Sequence, residues 1–105
     1  MSLAEVVYRL TEEFPKREWY CLALEMRRSA VSIPSNLAEG HSQGHRAYIR
    51  HLVIAIGSHS ELRSQGELAT RLNYINAEAR KDLDGLLGDV GRLCQALLRS
   101  LRPVS

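Results

Sequence analysis

Apolar residues recur along this chain at steps of three and four, the period of helices that each turn one face to a core. Leu3, Val6, Val7 and Leu10 keep that spacing in the first stretch. Ser2 and Glu5 open it as a capping box: the hydroxyl accepts from the Glu5 amide and the carboxylate reaches back. Phe14-Pro15 ends it, because the residue before proline is pushed out of helical dihedrals. A second helix is predicted from near Glu18 to near Gly40. Its stripe, Leu22, Met26, Ala30, Ile33 and Leu37, keeps register across Pro34, so the pattern predicts a kinked but continuous helix. Gly40 to Gly44 reads as a turn. The third helix, Arg46 to Leu72, carries a heptad seam of Tyr48, Leu52, Ala55, His59, Leu62, Gly66, Ala69 and Asn73, beside a strip of Ile49, Val53 and Ile56. At a rise of about 1.5 Å per residue it is about 40 Å long and sets the length of the molecule. Asn73 to Asn76 is a short connection, with Asn76 placed to cap the last helix. That helix bears Leu83, Leu86, Leu87, Val90, Leu93, Cys94, Leu97, Leu98 and Leu101. Asp82, Asp84 and Asp89 lie early in it and Arg92, Arg99 and Arg102 late, a polarity that suits the helix dipole; Pro103 ends it.

No stretch shows the period-two alternation of a strand, and short connections make sequential helices antiparallel neighbours. The 105 residues suit one domain, 1–105. The expected fold is all-α, an antiparallel up-down four-helix bundle. The longest uncharged run is about ten residues, against the roughly twenty that span a bilayer. The start, Met1-Ser2-Leu3-Ala4-Glu5, has neither the basic residues nor the apolar core of a signal peptide, so a cytoplasmic protein with no membrane partner is expected.

The second helix has another apolar stripe, Tyr20, Leu24, Val31 and Ala38. A helix apolar on two faces needs cover on both, and a small bundle covers one. These four residues are therefore the candidate oligomer interface, with internal packing as the alternative. The formal charge of +2 is mildly basic, yet twelve of the fourteen cations are arginine, the residue better suited to paired and phosphate-facing roles. Cys21 and Cys94 form no CxxC pattern and read as two buried, reduced thiols.

From Arg27-Arg28-Ser29-Ala30-Val31-Ser32-Ile33-Pro34-Ser35-Asn36-Leu37-Ala38-Glu39-Gly40, through Ile54-Ala55-Ile56-Gly57-Ser58 and Glu61-Leu62, to Leu72-Asn73-Tyr74-Ile75, the chain resembles a known family. These residues look like the four-helix bundle proteins encoded in intervening sequences of bacterial large-subunit ribosomal RNA genes. The accessory variability proteins of diversity-generating retroelements are similar. The resemblance reaches the flanks through Tyr8-Arg9-Leu10, Phe14-Pro15 and the leucine-rich last helix. It implies a bundle that assembles into a ring, commonly a pentamer, with no catalytic activity. For the retroelement branch it implies binding of nucleic acid and of a protein partner, a reverse transcriptase. This chain departs from the pattern in a shorter first helix, in Glu25 where glutamine is usual, and in His59 and Gly66.

Glu25, Arg28, Ser32, Ser35, Asn36 and Glu39 fall along one polar flank of the second helix. They read as a structural polar seam, a hydrogen-bond network fixing helix register, in which Ser32, Ser35 and Asn36 also satisfy carbonyls freed by Pro34. The alternative is a phosphate-binding surface through Arg27 and Arg28. Arg46, Arg50 and His45, with His41 and His51, gather at the start of the third helix and, with Arg27, are the candidate contacts to RNA or DNA. A solvated polar end is the plainer reading. His41 and His45 have metal-like spacing without an acidic partner, so no metal or cofactor is expected. His59 reads as a satisfied core or interface histidine. Gly85, Gly88 and Gly91 recur every third residue, which either close helix approach or drift at exposed sites explains. No ExxH pair, Walker A loop, GxGxxG or HExxH is present, and His59-Ser60-Glu61 is followed by no PCxxC. The expected function is a non-enzymatic homo-oligomeric scaffold. An arginine-rich rim would touch nucleic acid; the alternative is a structural or protein-binding oligomer without that role.

Overall fold

A computed structural model describes residues 1–101; Arg102 and Pro103, expected to close the last helix, lie outside them. Four helices follow in order: α1, Leu3–Glu12; α2, Leu22–His41; α3, His45–Arg71; and α4, Ala77–Leu101. Each packs on its neighbours in sequence, and α1 closes the circuit against α4. That is the up-down bundle the pattern predicts, drawn out to 48 × 23 × 21 Å by the long third helix.

The ends form where their signals stand. Ser2 Oγ accepts from the Glu5 amide at 3.2 Å, and Glu5 Oε1 accepts from the Ser2 amide at 3.0 Å. The Ser2 amide and hydroxyl hold the Glu5 carboxyl below its ordinary pKa. Asn76 Oδ1 accepts from the Ala79 amide at 2.8 Å and caps α4. The core runs through all four helices: Val7, Met26, Leu52, Leu62 and Leu83 are completely enclosed. Six of the eight seam positions of α3, from Leu52 to Ala69, are buried.

Five expectations need correction. Asn73 does not extend the α3 seam; it lies exposed beyond the helix at φ 63°. Its amide donates to the Thr70 carbonyl, and the Tyr74 amide reaches back to Ala69, the paired bonds that end a helix in a left-handed residue. Tyr48 is only half-buried. The second helix starts at Leu22 rather than near Glu18. Pro15 opens a tight 3₁₀ turn over Lys16–Glu18, Trp19 Nε1 donates to the Phe14 carbonyl at 3.0 Å, and Cys21 leaves helical dihedrals at φ −118°, ψ −103°. Gly40 belongs to α2, not to the turn. It is buried where a Cβ would lie 2.9 Å from His51 Cβ and 3.3 Å from Tyr48 Cα, so glycine lets α2 and α3 touch there. Cys21 is exposed; Cys94 alone is buried, and burial pushes its thiol pKa up.

α2 runs unbroken through Pro34, whose ring faces outward. With ten residues, α1 spans about 15 Å against about 40 Å for α3, so it lies along part of the bundle only.

Candidate functional site

The polar flank of α2 divides. Ser32 and Asn36 turn toward α3, where Ser58 Oγ donates to Ser32 Oγ at 2.8 Å and His51 Nδ1 lies 3.0 Å from Asn36 Oδ1. Asn36 Nδ2 donates to the Ser32 carbonyl at 2.8 Å. The carbonyl that the proline ring leaves without an amide is that of Ala30, four residues before Pro34, so Asn36 does not serve it. Glu25 and Arg28 pair with each other at 3.6 Å in solvent, a contact worth at most about 1 kcal/mol. Ser35 is exposed, and Glu39 accepts from Gln43 at 2.6 Å at the helix end. Two of the six positions thus reach across to α3. Their partners Ser58 and His51 follow from the antiparallel pairing of α2 with α3, which the sequence of α2 alone does not carry.

Arg27 is half-buried and holds α1 to α2. Its Nε donates to Thr11 Oγ1 at 2.7 Å, and its guanidinium lies 4.7 Å from the centre of the Tyr8 ring. Thr11, wholly buried, passes its own proton to the Val7 carbonyl at 2.7 Å. Arg46, Arg50 and His45 stand apart from it, exposed on the first turns of α3. His41 meets the edge of Tyr48 at 5.8 Å.

The second stripe of α2 is open to water. Tyr20, expected on this stripe, lies in the turn before α2 and is 84% exposed; on the helix itself Val31 is 41% exposed, Ala38 is exposed, and Leu24 is half-buried. Val31 and Ala38 follow Arg27 by four and eleven residues, so they share the flank of α2 that faces α1.

Gly40-His41-Ser42-Gln43-Gly44 also fits the GxSxG spacing of a nucleophile elbow. That elbow needs a strand leading into a helix. Here Ser42 caps the end of α2 and donates to the Glu39 carbonyl at 2.9 Å.

The family model of the 23S rRNA-intervening sequence protein matches residues 1–96. The chain belongs to that family. Among curated proteins no match is found.

In this 23S rRNA-intervening sequence protein a concavity lies between α3 and α4, where the sequence pattern predicts no site. It measures about 770 Å³, and Arg63, Arg80, Arg92 and Arg99 stand around it with one carboxylate, Asp84. Arg80 is engaged: its Nε meets both Asp84 oxygens at 2.9 and 3.0 Å, and its Nη1 donates to Thr70 Oγ1 at 3.0 Å. Arg92 pairs with Asp89 at 2.6 Å. Among the described residues Arg63 and Arg99 have no carboxylate partner.

The three glycines of α4 separate here by their neighbours. Gly85 faces open space. At Gly88 a Cβ would meet only the tip of Arg92, at 3.3 Å. At Gly91 it would lie 2.9 Å from His59 Nε2. His59 is buried, and its Nε2 donates to the Leu87 carbonyl at 2.6 Å; a carbonyl only accepts, so the proton is on Nε2. Among the described residues no group of three or more His, Cys, Asp or Glu is placed to hold a metal ion, and no helix is long and apolar enough to cross a membrane.

Proposed function

We propose that this protein works as a non-catalytic, self-associating helical scaffold, a homo-oligomeric ring of the pentameric kind that the family resemblance implies. The observation that carries this reading is the open stripe of α2. Val31 and Ala38 stand in water on one flank of a helix whose other face already fills the core, and Tyr20, in the turn just before that helix, is exposed as well. Apolar side chains that fall in line on a helix cost less when a second copy covers them. Light scattering after size exclusion, at low micromolar concentration, tests it. The expected mass is near five times 11.8 kDa, falling to one chain when Tyr20 and Val31 are both replaced by glutamate. A parent that runs as a monomer overturns the reading.

Nucleic-acid binding is the second part of the proposal. Its support is the exposed group of His45, Arg46 and Arg50, which each copy of a ring would repeat. Binding through such contacts weakens steeply with salt, because each phosphate contact releases counterions. An oligomer that holds only protein partners would show no such loss.

A further inference from the structure

We propose that the cleft between α3 and α4 is a binding site for nucleoside phosphates, either free nucleotides or units of a nucleic-acid strand. The site goes beyond the self-association proposed above and does not depend on it. Three observations converge. First, the charge is one-sided: of the four arginines, Arg80 is paired with Asp84 and Arg92 with Asp89, and Arg63 on α3 and Arg99 on α4 have no carboxylate partner among the described residues. Guanidinium groups offer forked donors that match phosphate oxygens two at a time, and they stay charged at any working pH. Second, the volume of about 770 Å³ lies within the range of about 300–1,000 Å³ typical of small-molecule sites. A lone phosphate would fill little of it. Third, the lining between the arginines includes the apolar side chains of Ile56, Leu87 and Ala96 and the bare backbone of Gly88. That lining suits the flat, weakly polar part of a ligand whose charged end the arginines hold. A nucleoside phosphate has both parts; a sugar or a peptide carboxylate has one or neither.

Arg80 and Arg92 already carry carboxylate partners, which offset their charge, so the positive field of the cleft comes from Arg63 and Arg99. Of the four, Arg63 and Arg99 are the two with no carboxylate partner among the described residues, and they would take phosphate oxygens directly. Both are exposed, so changing them does not disturb the core. Gly88 is the other lever. A side chain there displaces only the end of Arg92 while it fills part of the cleft, with no change of charge.

The test uses the full chain at about 50 mM salt, where phosphate contacts are strong. A fluorescein-labelled dodecauridylate is titrated by anisotropy and ATP by calorimetry. Arg63→Glu and Arg99→Glu should each weaken binding about tenfold or more, the scale of one lost charge-assisted contact. Gly88→Leu should weaken it comparably, while the pair Arg46→Glu and Arg50→Glu changes ATP binding by less than about threefold beyond the general effect of charge. ATP binding that competes with the oligonucleotide identifies a free nucleotide as the source; oligonucleotide binding that ATP leaves untouched identifies a strand. The proposal is overturned if the parent binds neither probe, if the cleft variants bind as the parent does, or if only the Arg46 and Arg50 pair loses binding. None of these variants touches the α2 stripe, so the mass by light scattering reports separately on self-association.

Discussion

Replacing Gly91 by alanine sets two known effects against each other at one atom. In the interior of a helix alanine is favoured over glycine by about 0.8–1 kcal/mol. The added Cβ would sit 2.9 Å from His59 Nε2 and 3.0 Å from Cε1, nearer than the about 3.5–4.0 Å at which non-bonded heavy atoms rest. The ring cannot yield in place, because Nε2 is bonded to the Leu87 carbonyl at 2.6 Å inside the protein. Moving it strands a buried N–H, at a cost of about 1–3 kcal/mol. Gly85→Ala is the matched control, since it gains the same propensity and meets nothing within 4 Å. Comparison of the two cancels the backbone term, so Gly91→Ala should be the less stable by about 1–3 kcal/mol. Near 100 residues each kcal/mol moves Tm by about 4–8 °C, so thermal melts at one fixed protein concentration should separate the variants by at least about 4 °C. In a His59→Ala background the obstacle is gone, and Gly91→Ala should then raise Tm as Gly85→Ala does. Equal rises for Gly85→Ala and Gly91→Ala in the parent would refute the reasoning.

Gly40→Ala should lower stability by about 1–3 kcal/mol despite its better propensity, because its Cβ meets His51 Cβ and the Tyr48 backbone rather than a mobile side-chain tip; a raised urea midpoint would count against it. Gln65→Met should raise stability by about 1 kcal/mol, since Gln65 Oε1 is buried without a hydrogen-bond partner and the thioether asks for none; an unchanged or lower midpoint in urea would show that the amide is satisfied in solution.

The fold was legible because helical period and end signals are local. The buried positions of α3 stand at steps of three and four in the sequence, and Ser2, Glu5 and Asn76 announce the caps they form. Where the reading failed, the deciding partner was distant or the competing turn was not weighed. The start of α2 was placed too early because the stripe gives no sign that Trp19 turns back to the Phe14 carbonyl. Gly40, read as a turn residue, is a contact residue only because α3 returns against it. Arg27 stood among the candidates for phosphate, and nothing in its neighbours along the chain shows that Thr11, sixteen residues earlier, takes its Nε proton. The α3–α4 cleft was missed for the same reason. Arg63 lies on one helix and Arg92 and Arg99 on another, and only the docking of the two helices brings them around one space.

The same docking separates the two surfaces proposed for function. Around the bundle the helices pack in the order α1, α2, α3, α4 and back to α1. Val31 and Ala38 share the flank of α2 that carries Arg27, and Arg27 is bonded to α1. The open stripe therefore belongs to the α1–α2 side. The arginine cleft belongs to the α3–α4 side, across the core. A ring closes through unlike patches, so the stripe of each copy would meet another face of the next; where that face is not the α3–α4 cleft, ligand binding there and assembly do not compete. A change that abolishes assembly by charging the stripe should leave the affinity of a single cleft for ATP intact. An oligonucleotide long enough to reach several clefts would lose affinity, because its gain from simultaneous contacts depends on the copies being held together. The difference between those two losses reads out the geometry of the assembly without a structure of it.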